Sequence, residues 1–519
     1  MLTRRRSPIA RSLALAVGLL VAACTAPAPP TLAPAIPSGT PQLPTTPPPT
    51  ARPTASLSPS PTSPATPTTT PTSSPTTSPT ASQPSPSARP GELPLREGQI
   101  ARHLDALAGI AGDNGGRRAG GTSGYDASAD YVAQELAALG YAVERQPVDV
   151  TFFDERAPVS LAIGDESWTG ADWLHAMLYS AGGEVAGELE AVGIAGDQPT
   201  TTGGCFEGDW NAFERGRIAV VLSGPCPRRD QVVLAQDAGA VALIGVYPAW
   251  GFDQIRRPTL FVPAGIDIPV VAAGSEPGAA LLAGAATNAQ AEIAVEVEMS
   301  AASDDNVIAE LAGETDAVVM LGGHLDSSLD GPGINDNGSG AATLLAIAAA
   351  LADQQPLERT VRLAFWAAEE YGAHGSAHYV DSLSPAGRDR IEAYLNLDMV
   401  ASPNAARYVY DSELAAPGSS QVTQALLQAL SDIGRPGIGL DLGAGSDHAA
   451  FQFAGIATGG VFSGIAPLTD EEAATFGGEV GVAADPCYHL ACDDRANVSV
   501  ESARVLGSAI LRVVENLAN

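Results

Sequence analysis

From Asn306 onward, strand-length apolar runs alternate with helix-length ones. Val307–Leu311, Ala317–Leu321, Val361–Ala367, Ile391–Leu397 and Thr458–Phe462 read as strands, and Ser339–Asp353, Ala377–Leu383, Ser419–Ile433 and Val500–Leu517 as helices. Parallel strands need a crossover, and helices supply it, so this alternation constrains the chain to an α/β fold: a mostly parallel sheet with helices on both faces. Ligands in such sheets gather at the carboxyl ends of the strands. His324, Glu369, Glu370 and Asp398 all fall there, which brings four polar side chains to one edge.

The residue types at that edge have a chemistry in common. His324-Leu325-Asp326, Asp336-Asn337, Glu369-Glu370 and Asn396-Leu397-Asp398 each follow or close an apolar run, and a further imidazole stands in Asp485-Pro486-Cys487-Tyr488-His489. Two divalent ions about 3.5–4 Å apart need a bridging carboxylate, an imidazole or carboxylate on each flank, and an unligated base for the nucleophilic water. Mixed imidazole and carboxylate donors suit zinc. Singly, each piece has an ordinary explanation: an Asp after a strand caps a helix, paired Glu residues solvate a surface, and His489 fills a loop. Their recurrence at consecutive strand ends is what points to a site.

The first part of the chain cannot join this core. Arg4, Arg5, Arg6 and Arg11 precede an apolar stretch, Ser12 to Ala23, that is too short to span a bilayer and reads as an export signal. Val21-Ala22-Ala23-Cys24 resembles a lipobox, which makes 1–23 a lipoprotein signal peptide and Cys24 the lipidated residue of an exported protein held on the outer face of a bacterial cell membrane. An ordinary secretory signal is the alternative. Residues 24–92 are almost wholly Pro, Thr, Ser and Ala, cannot bury enough surface to offset ordering entropy, and read as a disordered tether. A net charge of -32 argues against nucleic acid as a partner.

Between the N-terminal helices, Ile100–Leu107 and Gly124–Leu139, and the α/β repeat, the pattern changes after Pro158 to short strands and turns: Val185–Val192, Arg217–Ser223, Ala240–Val246 and Ile268–Ala273, with a helix at Arg229–Ala238. This divides the folded part into a main domain, 93–157 and 298–519, and an inserted β-rich unit, 158–297. With Cys24 set aside, four cysteines remain, an even number in an oxidising compartment. Local pairing is expected, Cys205 with Cys226 and Cys487 with Cys492. A Cys-His metal site competes, but carboxylates dominate the other ligand candidates.

His324-Leu325-Asp326, Gly333-Ile334-Asn335-Asp336-Asn337-Gly338-Ser339-Gly340, Ala368-Glu369-Glu370-Tyr371-Gly372, Asn396-Leu397-Asp398-Met399, Ser446-Asp447-His448 and Cys487-Tyr488-His489 together closely resemble peptidase family M28, the co-catalytic zinc aminopeptidases. The segment Thr458–Asp494 is most similar to its secreted bacterial members, and the 158–297 unit resembles a protease-associated domain. The resemblance implies two zinc ions per chain: His324 and Asp398 on one, Glu370 and His489 on the other, and the Asp336 carboxylate bridging; it also implies a cis peptide between Asp336 and Asn337. It further implies Glu369 as general base, Asp326 as the group that orients His324, and Tyr488 as donor to the oxyanion. Where the family resemblance leads one to expect an arginine before Ser446, this chain has Gly445.

The activity so implied is removal of the first residue from peptides with a free N-terminus, through attack by a metal-bridging hydroxide. Related di-zinc carboxypeptidases and deacylases, single-zinc glutaminyl cyclases and non-catalytic scaffolds that combine both domains are the alternatives.

Overall fold

The computed structural model describes residues 93–194, 202–247, 255–404, 406–412 and 415–519. The signal segment, the tether and Cys24 lie outside the described residues. Among the described residues no helix is long and apolar enough to cross a membrane.

The expected parallel strands pair in the order Thr458–Phe462, Ile391–Leu397, Thr315–His324, Arg359–Trp366. Their two faces are both buried, as the apolar runs demand. Val319, Leu321, Val361, Leu363 and Phe365 point into a core covered by the helices Glu97–Asp113, Ser123–Ala138, Gly338–Ala352, Ser419–Asp432 and Val500–Ala518. Val318, Met320, Ala364 and Trp366, the alternate positions, point the other way. There they meet Tyr379 and Val380 of His374–Ser382 and Phe451 of His448–Phe453, with the Tyr394 and Phe451 rings stacked 3.8 Å apart. Antiparallel neighbours complete the sheet: Gln290–Leu311 beyond Arg359–Trp366, and Tyr408–Tyr410 beyond Thr458–Phe462.

The junction with the inserted unit differs in form from a linker. Ala142–Ile163 and Gln290–Leu311 are each 22 residues long and pair antiparallel along their length, leaving the main sheet at one end and entering the inserted unit at the other. The expected boundaries, 157/158 and 297/298, fall inside this ribbon, beside a register irregularity between Glu155 and Ser160. Gly183–Ala191 pairs with the far end of the ribbon, and Ile218–Leu222, Ala242–Val246 and Val270–Ala273 follow in parallel around a separate apolar core. Both expected disulfides form, Cys205–Cys226 and Cys487–Cys492.

Candidate metal centre and active site

Three sharp turns aim the polar residues. His324 is the last residue of its strand; Glu369 and Glu370 follow Ala368 (φ +53°); Asp398 precedes Met399 (φ +49°). Non-glycine residues in the left-handed region are strained and gather at functional sites. His489, at φ +56°, is another.

Asp336 arrives from the loop after Thr315–His324, on the residue before the N-cap of Gly338–Ala352. Its peptide to Asn337 is cis, as the resemblance implies. Asn337 caps the helix by accepting from the Gly340 amide at 2.8 Å, while its own amide group donates to the Leu397 carbonyl at 2.8 Å. One side chain therefore ties the Asp336 turn to the strand end that carries Asp398. Glycine at position 340 permits that approach, because a Cβ there would lie 2.3 Å from the Leu397 carbonyl oxygen.

The result is two donor clusters that share one carboxylate. His324 Nε2 lies 3.2 Å from Asp336 Oδ1 and 3.3 Å from Asp398 Oδ1. His489 Nε2 lies 3.0 Å from Asp336 Oδ2 and 3.1 Å from Glu370 Oε2. Each triad, His324–Asp336–Asp398 and Asp336–Glu370–His489, has its donor atoms close enough for a single ion. The donors fit zinc and call for cations: Glu370 Oε1 is buried with no partner, and more carboxylates than cations converge here. Burial by itself would lower both imidazoles, yet the surrounding carboxylates hold them well above their ordinary value, Asp398 foremost at His324 and Glu370 at His489. Burial raises Glu370 to about 6, opposed by His489.

Glu369 holds neither triad together. Its carboxyl faces the same cavity, of about 630 Å³, as His324, Asp336, Glu370, Asp398, Tyr488 and His489. Burial holds it well above the usual carboxylate range, with His324 pulling the other way and Asp447 and Asp398 adding to the rise. The Tyr488 ring stacks on the His489 ring at 3.9 Å, and burial with the neighbouring Asp336 and Glu370 keeps its phenol protonated.

Some side chains play parts that the sequence reading did not give them. The Asp326 carboxylate stands 3.6 Å from His324 Nδ1, whose nearer partner is the Asp326 backbone carbonyl at 3.0 Å. That carboxylate instead accepts the Glu369 and Glu370 amides at 3.1 and 3.2 Å. Of Ser446-Asp447-His448, Ser446 touches a ligand candidate, donating to Asp398 Oδ2 at 2.7 Å. Asp447 is buried and raised to about 7 by burial, with His324 and Ser376 pulling the other way, and His448 packs against Tyr410. His175 Nδ1 and His374 Nε2 are each buried without a partner.

Arg118 and Asp493 were missed altogether. Fully buried Arg118 donates to the Leu325, Pro332 and Gly333 carbonyls, bracing both ends of the loop that leads to Asp336. Asp493 accepts the Asn335 and Asp336 amides at 2.9 and 3.0 Å. Neither is marked by any periodicity.

Residues 306–514 match peptidase family M28, and residues 185–281 match the PA domain. An aminopeptidase of Pseudomonas aeruginosa is 35% identical over 438 residues, covering 82% of this chain and 81% of that one. A probable lipoprotein aminopeptidase of Mycobacterium tuberculosis is 34% identical, covering 79% and 83%. A probable leucine aminopeptidase 2 of Aspergillus oryzae is 33% identical, covering 77% and 79%. Among solved structures, a zinc aminopeptidase from Bacillus subtilis superposes with a TM-score of 0.62 at 25% identity, covering 82% of this chain and 96% of that one. The aminopeptidase from Aneurinibacillus sp. strain AM-1 gives 0.64 at 25%, covering 80% and 93%.

Proposed function

The chain belongs to peptidase family M28 and is a zinc metalloaminopeptidase acting on peptides; from that premise we propose that it is a two-zinc enzyme in which Glu369 is the general base. In this reading His324 and Asp398 hold one ion, Glu370 and His489 hold the other, and Asp336 lies between them. The observation that carries it is the division of one carboxylate, with Asp336 Oδ1 facing His324 and Oδ2 facing His489.

Zinc, when bound, supplies Lewis acidity, polarising the scissile carbonyl and making a water nucleophilic at neutral pH. The chain's own residues do the rest. Glu369, free of both triads, takes the proton from the attacking water and returns it to the leaving amine. The Tyr488 phenol donates to the oxygen that gains charge as the carbonyl becomes tetrahedral. Asp326 fixes the backbone of Glu369 and Glu370 through their amides, so base and ligand keep their separate aims. Met399, Tyr410, Phe462 and Ile465 line the same cavity and favour a first residue with an apolar side chain, in keeping with the leucine aminopeptidase name of the Aspergillus oryzae relative.

The domain division follows the same proposal: a peptidase domain of 93–157 and 298–519, and a PA insertion of 158–297 that is continuous with it through the long ribbon. For residues 1–92 we propose a lipoprotein signal peptide, lipidation at Cys24 and a Pro/Ser/Thr-rich tether that holds the enzyme on the outer face of the cell membrane, supported by the lipoprotein name of the Mycobacterium tuberculosis relative. Metal analysis tests the central reading. Close to two zinc per chain, with activity lost to chelators, is expected; a single tightly held ion would overturn the two-ion assignment. Assay of free-amine against N-blocked peptides separates aminopeptidase action from the related carboxypeptidase and deacylase chemistries.

A further inference from the structure

The segment Ile255–Leu260 belongs to the inserted unit but reaches the C-terminal disulfide loop. Two backbone bonds to Leu178 fix it to the insertion, Leu178 N to Pro258 O at 2.9 Å and Leu260 N to Leu178 O at 3.1 Å. Arg257, whose side chain is only 7% exposed, anchors it further to the insertion through the Ala176 carbonyl at 2.8 Å, and itself spans the boundary to Glu155 at 2.8 Å and Asp330 at 2.9 Å. Arg256 then points across the domain boundary. Its Nε donates to the Tyr488 carbonyl at 3.0 Å and its Nη2 to the Pro486 carbonyl at 3.1 Å.

We propose that Arg256 is a positioning residue, through which the inserted domain holds Tyr488 and His489 in their working conformation. The reasoning is geometric. His489 sits at φ +56°, a conformation that strains a non-glycine residue and needs its surroundings to maintain it. Rotation about φ of His489 turns the Tyr488–His489 peptide plane, and the oxygen of that plane is the one Arg256 holds. The second bond, to Pro486, fixes the plane two residues earlier. Release of this fork lets the turn relax, swings His489 Nε2 away from Asp336 and Glu370, and carries the stacked Tyr488 ring with it. A guanidinium spans two carbonyls from two nitrogens of one rigid plane; an ammonium on a flexible stem does not. The insertion is thereby part of the active-site frame.

This inference rests on the proposed role of His489 as a ligand, so the test compares Arg256→Ala, Arg256→Lys and Arg217→Ala with the wild type. Arg217→Ala is the control, because Arg217 bonds Glu188, Glu214 and Asn288 within the insertion and does not reach the disulfide loop. Zinc titration, kcat and KM on an aminoacyl-nitroanilide, and amide hydrogen exchange of the Cys487–Cys492 loop in metal-free protein are measured for each. Arg256→Ala should weaken one of the two zinc sites by roughly 10–100-fold, as loss of a ligand's supporting partner does, with the other unchanged. It should also lower kcat more than it raises KM, even at saturating zinc, and speed exchange in the loop. Arg256→Lys should fall between, and Arg217→Ala should match the wild type. Wild-type zinc affinity, kcat and loop exchange in Arg256→Ala would overturn the proposal, as would an equal loss in Arg217→Ala. If the wild type binds a single ion, the two-zinc reading fails by itself, and unchanged kcat and loop exchange in Arg256→Ala then decide against the clamp.

Discussion

The carboxylate of Asp326 accepts the backbone amide of Glu369 at 3.1 Å, and with its second oxygen it accepts the next amide, that of Glu370, at 3.2 Å. One buried side chain thus sets the direction of two neighbouring glutamates that face different tasks. Replacing it with Asn presents an NH₂ donor to one of those amides. Asp326→Asn should lower both zinc affinity and kcat by roughly 10–100-fold, the range found when a ligand's supporting partner is lost. Wild-type values for both would mean that the turn after Ala368 holds the pair unaided.

The Cys487–Cys492 disulfide closes a loop of sequence separation 5 that carries Tyr488 and His489. A loop this short contributes only about 2 kcal/mol through chain entropy. The double replacement Cys487→Ser/Cys492→Ser should therefore cost little in melting temperature and much in kcat. A fall in melting temperature with kcat intact would show that the bridge serves the fold and leaves the site alone.

Acid stability should bear the mark of His103. Burial, with Arg102 adding to it and Glu135 opposing, holds this imidazole at about 4, below its ordinary 6.5. The folded value lies below the unfolded one, so the unfolded chain takes up the proton first as the pH falls. The penalty is absent above about 6.5, grows toward 4 and levels off below it. In His103→Gln the titrating group is gone. Melting temperature should then fall less between pH 7 and pH 4 in the variant than in the wild type, and parallel curves would contradict the assignment.

Legibility in the sequence followed physical visibility. The parallel strands were plain because both faces are buried, giving continuous apolar runs such as Val318–Leu321. The second strand of the ribbon was not: Glu298–Ser303 is an exposed stretch of Gln290–Leu311, half polar and without a large branched or aromatic side chain, held by backbone pairing to Ala142–Ile163, so it reads as a loop and the strand appeared to begin at Val307. His324, Glu370 and Asp398 were legible because they lie at or just after strand ends, whereas Asp336 and His489 lie on loops and were assigned through the family resemblance. Arg118, Ser446 and Asp493 act on backbone groups or on another side chain across the fold, and no spacing along the chain announces that.

Glu369 is where the account is most exposed, because it separates the base from the ligands. Glu369→Gln keeps size and shape but removes the proton acceptor, so zinc content should stay near normal while turnover of a free-amine dipeptide falls by roughly 10²–10⁴-fold. Glu370→Gln should instead lose zinc, since a ligand charge is missing. Metal content and kcat measured side by side for the two variants give the direct test. Opposite patterns are the predicted result, and a Glu369→Gln enzyme with normal turnover would contradict the mechanism.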